Sequence, residues 1–390
     1  MATSVRVEAE MHDAASWLKQ QLPAMEAALA ALVEHNSFSG NREGGQRVVR
    51  LLEDIFTMPG LVAERVPSER FADHLVFRSE GKAGVAPLAL IGHLDTVFPP
   101  GVFEGYHVEG NLRRGPGVLD MKGGLIVIAW ALKAVATSVG LANIAPLRIV
   151  IVSDEEVGSP EGAPLIRNVI EGCSAALVFE SGRATDAIVT ERKGTGFATA
   201  KAIGKPAHAG NNYWEGANAI WALSRFVDRA QQLSSRESGV TVNVGLISGG
   251  TAKNTVPAGA KADLDLRYPT KAAADALWQG LRAAAVELGV TGTEVVVETG
   301  PGRVPMEKQP GTDALLARYG RCAHAHGLAA GEAPRQGGGS DGNTSSSMGI
   351  PTLDALGPRG HFFHTPQEYI EVETLISRAQ ALAMFLTTDA

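Results

Sequence analysis

Three short apolar runs, "PLALIGHLD" (87 to 95), "PLRIVIVSDEE" (146 to 156) and "AALVFES" (175 to 181), each end in polar or charged residues. Runs of this length and character read as strands buried on both faces, the kind that a parallel sheet uses. Between the first two lies "DMKGGLIVIAWALKAVATSV" (120 to 139), which predicts a long, largely buried helix. Strands alternating with helices define an α/β unit with a mainly parallel sheet flanked by helices. Ligands of such sheets bind beyond the carboxyl ends of the strands, where the polar residues of all three runs fall.

From about 194 to 304 the pattern changes. "TGFATAKAIG", "GVTVNVGLIS", "AKADLDLRY" and "TEVVVETG" read as strands, and "GANAIWALSRFVDRAQQL" and "TKAAADALWQGLRAAAVEL" as helices. Their order, βαββαβ, predicts a ferredoxin-like α+β domain inserted into the first one. The chain therefore divides into residues 1–193 with 305–390, and 194–304.

Composition narrows the function. The formal net charge is −7 with both signs spread along the chain, so nucleic acid and anionic membrane have no electrostatic footprint and a small molecule is the expected partner. No apolar stretch approaches the roughly 20 residues that span a bilayer. The N-terminus, "MATSVRVEAEMHDAASWLKQQL", has no apolar segment flanked by basic residues, so no secretory signal is read there and a cytoplasmic protein is expected. With only Cys173 and Cys322, neither a disulfide framework nor a cysteine-rich zinc site can be built. Any metal must be held by His, Asp and Glu.

Such residues recur at the strand ends. His93 and Asp95, in "GHLDTVFPPG", are two apart, so both side chains point to one face and the Asp can hold one ring nitrogen while the other binds a metal. Asp120, in "GVLDMKGG", sits where the buried helix begins, a position that a capping Asp would also favour. Glu155 and Glu156 follow a strand, and in extended chain their side chains point opposite ways, so one can ligate while the other faces substrate. Glu180 ends a third strand and His364 lies in "GHFFHTPQEY". Two imidazoles and three carboxylates suit two divalent ions if one carboxylate bridges them. Nitrogen and oxygen donors of this kind suit two Zn²⁺, with Co²⁺ or Mn²⁺ as substitutes.

The order of motifs resembles the M20 co-catalytic metallopeptidases, and within them the carboxypeptidase G2-like glutamate carboxypeptidases. The resemblance runs from "HLDTV" through "GVLDMKGG", "SDEEVGS", "FESG", "GKPAHAG", "GGTAKNTVPA", "DLDLRY" and "GGGSDG" to "FHTPQEY". It implies that Asp120 bridges the metals, with His93 and Glu180 on one ion and Glu156 and His364 on the other. It makes Glu155 the general base and Asp95 the partner that orients His93. It places His208, Asn254, Arg267, Arg303 and Gly338 against substrate, with His208 reaching the neighbouring subunit's active site to stabilise the oxyanion. The inserted domain becomes a lid and the contact of a homodimer. The expected reaction is hydrolysis of the amide to a C-terminal amino acid, glutamate first, on a substrate with a free carboxylate. N-acyl-amino-acid deacylation of the acetylornithine or succinyl-diaminopimelate type and dipeptide cleavage are the alternatives within the family. A more distant one is a serine hydrolase, because Gly338-Gly339-Ser340-Asp341-Gly342 matches G-x-S-x-G, although "EAPRQ" rather than an apolar strand precedes it.

Overall fold

The structure, a computed structural model, describes residues 14–388. Residues 1–13, on which part of the reading of an absent secretory signal rests, lie outside the described residues. The chain forms two compact units. One runs to Thr190 and resumes over Lys308–Arg335 and from Ser340; the other comprises Glu191–Glu307 with Gln336–Gly339.

The first unit is built on a six-stranded sheet in the order Val62–Val66, His74–Ser79, Leu147–Val152, Leu88–His93, Ala175–Val178 and Thr352–Leu353. The last four strands are parallel, and the two at the other edge pair antiparallel. The three apolar runs are thus adjacent parallel strands; the antiparallel pair is additional to the sequence reading. Successive side chains alternate between two cores, as the pleat requires. Leu88, Leu90, Leu147, Ile149 and Leu177 face one core, whereas Ala89, Ile91, Val150, Val152 and Val178 face the other with Ile166 and Ile170 of helix Gly162–Ile170.

Helix Lys122–Ser138 is enclosed along nearly its whole length and packs against helices Leu22–Val33 and Thr374–Thr387. Full burial of Leu125, Ile126, Ile128 and Leu132 contributes roughly 1.5–3 kcal/mol each. A glycine is required where it meets the sheet: a Cβ on Gly124 would lie 2.0 Å from the Phe179 carbonyl oxygen. This close approach brings the start of the helix, with Asp120, beside the strand end that carries Glu180. A small sheet, ordered Gly360–His361, Tyr369–Glu371, Leu112–Arg114 and His107–Glu109, anchors both ends of the loop bearing His364.

The second unit is a four-stranded antiparallel sheet ordered Thr241–Gly249, Gly259–Tyr268, Gly194–Ile203 and Glu294–Arg303, with helices Ala219–Gln231 and Lys271–Ala284. That is the ferredoxin-like arrangement expected from the sequence. Ala198, Ala200, Ala262, Leu264 and Leu266 alternate into a core with Leu223, Phe226, Leu277 and Leu281 of the helices. Each helix has a side-chain N-cap: Asn218 accepts from the Trp221 amide at 2.9 Å and Thr270 from the Ala273 amide at 3.1 Å. Where the chain enters and leaves this unit, Arg192 and Met306 exchange two backbone hydrogen bonds of 3.0 Å. Among the described residues no helix is long and apolar enough to cross a membrane.

Candidate metal centre

The parallel strands end at His93, Val152 and Val178, and the residues that follow them converge. His93 is buried. Its Nδ1 lies 3.0 Å from the Asp95 carbonyl oxygen and 3.3 Å from Asp95 Oδ1, two acceptors that assign the ring hydrogen to this nitrogen. Nε2 is thereby directed at the acids, 3.4 Å from Asp120 Oδ1 and 3.6 Å from Glu180 Oε1. On the other side, His364 Nε2 lies 3.2 Å from both Asp120 Oδ2 and Glu156 Oε2. Asp120 therefore gives one oxygen to each imidazole. It does not cap the helix, whose N-cap is Met121 and which has no side-chain cap bond. His361 does not share this role; its Nδ1 accepts from the Phe362 amide.

The two glutamates depart from the sequence reading. Glu155 and Glu156 do not continue the strand in extended form; they open a single 3₁₀ turn, Glu155–Val157. The cause is sixty residues away in sequence. The Asp95 carboxylate accepts both their amides at 3.1 Å, and Ser39 Oγ at 2.6 Å, which folds the chain back on itself. Both side chains nevertheless reach the cluster, each in a different group. Donor atoms of Glu155 group with His93 and Glu180, and those of Glu156 with His93 and Asp120, each set within 4.8 Å. Asp154 is buried and turns away to accept from the Glu161 and Gly162 amides at 2.7 and 3.0 Å, so it caps the next helix.

Charge at the cluster is tightly coupled. Burial opposes a charge on His93, yet Glu180 and its hydrogen-bonding acids raise its pKa well above the usual value. Hydrogen bonds to Asp120 and Glu156 push His364 up to about 11. Burial pushes Glu180 up to about 7, with Asp120 adding to the effect, and burial likewise raises Glu156. Asp120 goes the other way: burial would raise it, but the His364 and His93 imidazoles beside it hold it well below the usual carboxylate range. The acids call for positive charge. Buried His93 Nε2, Asp120 Oδ1 and Glu156 Oε1 have no hydrogen-bond partner, and a divalent cation is the partner that their donor chemistry fits.

Glu368 and Lys122, both fully enclosed beside this cluster, were absent from the sequence reading. Lys122 left a signal, since a lysine in the first turn of a helix opposes the helix dipole. A single sequence gives none for Glu368.

The remaining candidates lie in the second unit. His208 and Asn254 are brought together by the two-stranded ladder of Ala207–His208 with Thr255–Val256, where the Asn254 carbonyl accepts from the Ala209 amide at 2.9 Å. His208 Nδ1 accepts from the Gly210 and Asn211 amides, both at 3.1 Å, so Nε2 carries the ring hydrogen. Arg267 and Arg303 stand in one row across the sheet, each opposite Thr195 on the strand between them. Asp265 takes Nε and Nη2 of Arg267 at 2.8 Å each. The Gly338 carbonyl accepts from Arg192 Nη1 at 3.3 Å.

Ser340 is not a nucleophile elbow. It is buried, its Oγ bonds to Asp354 and the Gly342 amide, no strand leads into it, and no imidazole is among its partners.

An α/β unit that gathers two histidines and four acids from strand ends, a helix start and a loop, with a ferredoxin-like insertion, defines a hydrolase class. The chain belongs to peptidase family M20/M25/M40, which it matches over residues 89–388. It is 27% identical over 370 residues to carboxypeptidase G2 of Pseudomonas sp. (strain RS-16), covering 93% of this chain and 89% of that protein. Succinyl-diaminopimelate desuccinylase of Corynebacterium glutamicum is 28% identical over 330 residues, 82% of this chain and 85% of that protein. Among solved structures, the YXEP protein of Bacillus subtilis, described as a dinuclear metal-binding peptidase of the M20 family, superposes with a TM-score of 0.70 at 17% identity, covering 95% of this chain and 98% of that one.

Proposed function

We propose that this hydrolase cleaves the amide bond between an acyl, aroyl or peptidyl group and a C-terminal glutamate, using two zinc ions. The observation that carries the dinuclear reading is Asp120, whose two oxygens face His93 and His364 separately. His93 and Glu180 would hold one ion and Glu156 and His364 the other, with Asp120 between them. Bound there, divalent ions supply Lewis acidity, lowering the pKa of water toward ~7 and polarising the scissile carbonyl.

The chain's own groups do the rest. The Glu155 carboxylate takes the proton from the attacking water and returns it to the leaving nitrogen. Asp95 fixes the tautomer of His93 and, through two amides, the turn that presents Glu155. His208, with hydrogen on Nε2, donates to the developing oxyanion. Arg303 and the free edge of Arg267 bind the substrate carboxylates, for which a guanidinium is the bidentate match, with Asn254 assisting and Gly338 lining the substrate site. The motif resemblance to the glutamate carboxypeptidases supports glutamate as the released amino acid, and the similarity to carboxypeptidase G2 over 93% of this chain supports release of a C-terminal residue.

We also propose that the second unit is a lid and pairs with its copy in a homodimer. Its edge strand Thr241–Gly249 exposes Leu246 and Ile247, and the neighbouring helix exposes Ile220 and Trp221, an apolar edge that self-pairing would cover.

Hydrolysis of N-acyl and N-aroyl amino acids, varying each side separately, tests the reading. Glutamate conjugates should be cleaved fastest, and a chelator should abolish turnover. A preference for basic or apolar amino acids would overturn the glutamate assignment, and chelator-insensitive turnover the metal one. His208→Ala should lower kcat by about 10² to 10³. Mixing it with an inactive Glu155 variant should restore part of the activity if His208 serves the neighbouring subunit, and no recovery would count against that.

A further inference from the structure

Glu368 lies four residues beyond His364 and is wholly enclosed. Its Oε1 accepts from the amides of Leu119 at 2.8 Å and Asp120 at 3.1 Å, and Gly117 adds a third backbone donor. Oε2 is buried with no hydrogen-bond partner. Burying a carboxylate this completely is costly, and such groups persist when something specific is gained. The nearby compensating cation is equally enclosed: Lys122, attracted by Glu368, makes one hydrogen bond, to the His35 carbonyl oxygen at 3.2 Å.

We infer that Glu368 is a positioning residue that sets the spacing between Asp120 and His364, and so the affinity of the site for its second ion. The inference rests on the dinuclear reading above. The bonds run to the amide of Asp120 itself and to the residue before it, so they fix the peptide plane from which the Asp120 side chain departs. The same side chain belongs to the loop that carries His364. One carboxylate therefore ties together the two segments whose ligand atoms lie 3.2 Å apart, and it does so over 248 residues of sequence. His93 and Glu180 are held independently, by their own strands. Removing Glu368 should therefore act unequally on the two ions.

The test compares wild type with Glu368→Gln, which keeps an Oε1 acceptor, and Glu368→Ala, which does not. Each protein is stripped with a chelator, titrated with Zn²⁺ against a chromophoric competitor, and loaded with Co²⁺ for its visible spectrum. The alanine variant should bind one ion about 10 to 100 times more weakly, as loss of such outer partners typically costs, with an altered cobalt spectrum. The glutamine variant should recover most of that affinity. Should the alanine variant not fold, Glu368→Asp takes its place, since its shorter arm cannot reach the Leu119 and Asp120 amides; the same weakening is expected. Two wild-type affinities and an unchanged spectrum in the alanine or aspartate variant would overturn the inference, as would equal losses in the glutamine and alanine variants. A wild-type protein that binds fewer than two ions would instead overturn the dinuclear reading on which it stands.

Discussion

Glu155→Gln is expected to lower kcat by about 10² or more while both metal ions remain bound. The substitution keeps the shape of the side chain and removes only its ability to accept and return a proton. The turn that presents it is held by backbone amides on Asp95, which the change does not touch. The five groups assigned to metal are likewise unaltered. Elemental analysis alongside kcat and KM separates the roles. Near-normal turnover with two ions bound would remove Glu155 from proton transfer, whereas loss of one ion would make it a ligand on the His93 and Glu180 side, where its donor atoms already group.

Asp186→Ala is expected to destabilise the first unit by about 3–5 kcal/mol, the usual cost of removing one partner from a buried ion pair. Asp186 is buried and accepts from Arg359 Nε at 3.0 Å and Nη2 at 2.6 Å, from the Ala329 amide at 3.1 Å, and from Arg378 Nη2 at 3.3 Å. Arg378 is itself fully enclosed, with Nε and Nη1 already lacking partners, so it would be left charged and without a counterion. A melting temperature lower by roughly 10 °C is the measurable outcome. Burial alone would raise the Asp186 pKa, but the Arg359 bonds outweigh it and hold the carboxyl below its usual value. The stabilisation is therefore fully present above about pH 4, the unfolded value, and is lost as pH falls through the lower folded one. The gap between wild type and variant should close over that acid range. A variant that melts like wild type at neutral pH would show that the buried arginines do not depend on this acid.

Much of this arrangement was legible in the chain, and its gaps have physical causes. The parallel strands announced themselves because burial on both faces forces continuous apolar runs, and their polar ends marked the crevice. The antiparallel strand Val62–Val66 did not, because an exposed edge strand, "VAERV", has no buried face to impose a pattern. Spacing alone does not separate His364 from His361, three residues earlier; the structure puts only His364 against Asp120 and Glu156, while His361 Nδ1 accepts from the Phe362 amide. The 3₁₀ turn at Glu155 was invisible, since its cause is a carboxylate distant in sequence. Glu368 was invisible for the same reason: its partners precede it by about 250 residues.

The paired bonds between Arg192 and Met306 have an evolutionary reading. A segment whose two ends are stitched side by side can be exchanged for another of similar fold without changing the distance that its hosts must bridge. The residues proposed for recognition sit almost wholly on that segment, together with the oxyanion donor His208, while the five groups proposed for metal and the base Glu155 sit outside it. Acyl and amino-acid preference can then change with the segment while the metal-holding groups stay in place, provided that each replacement keeps a hydrogen-bond donor at the position of His208.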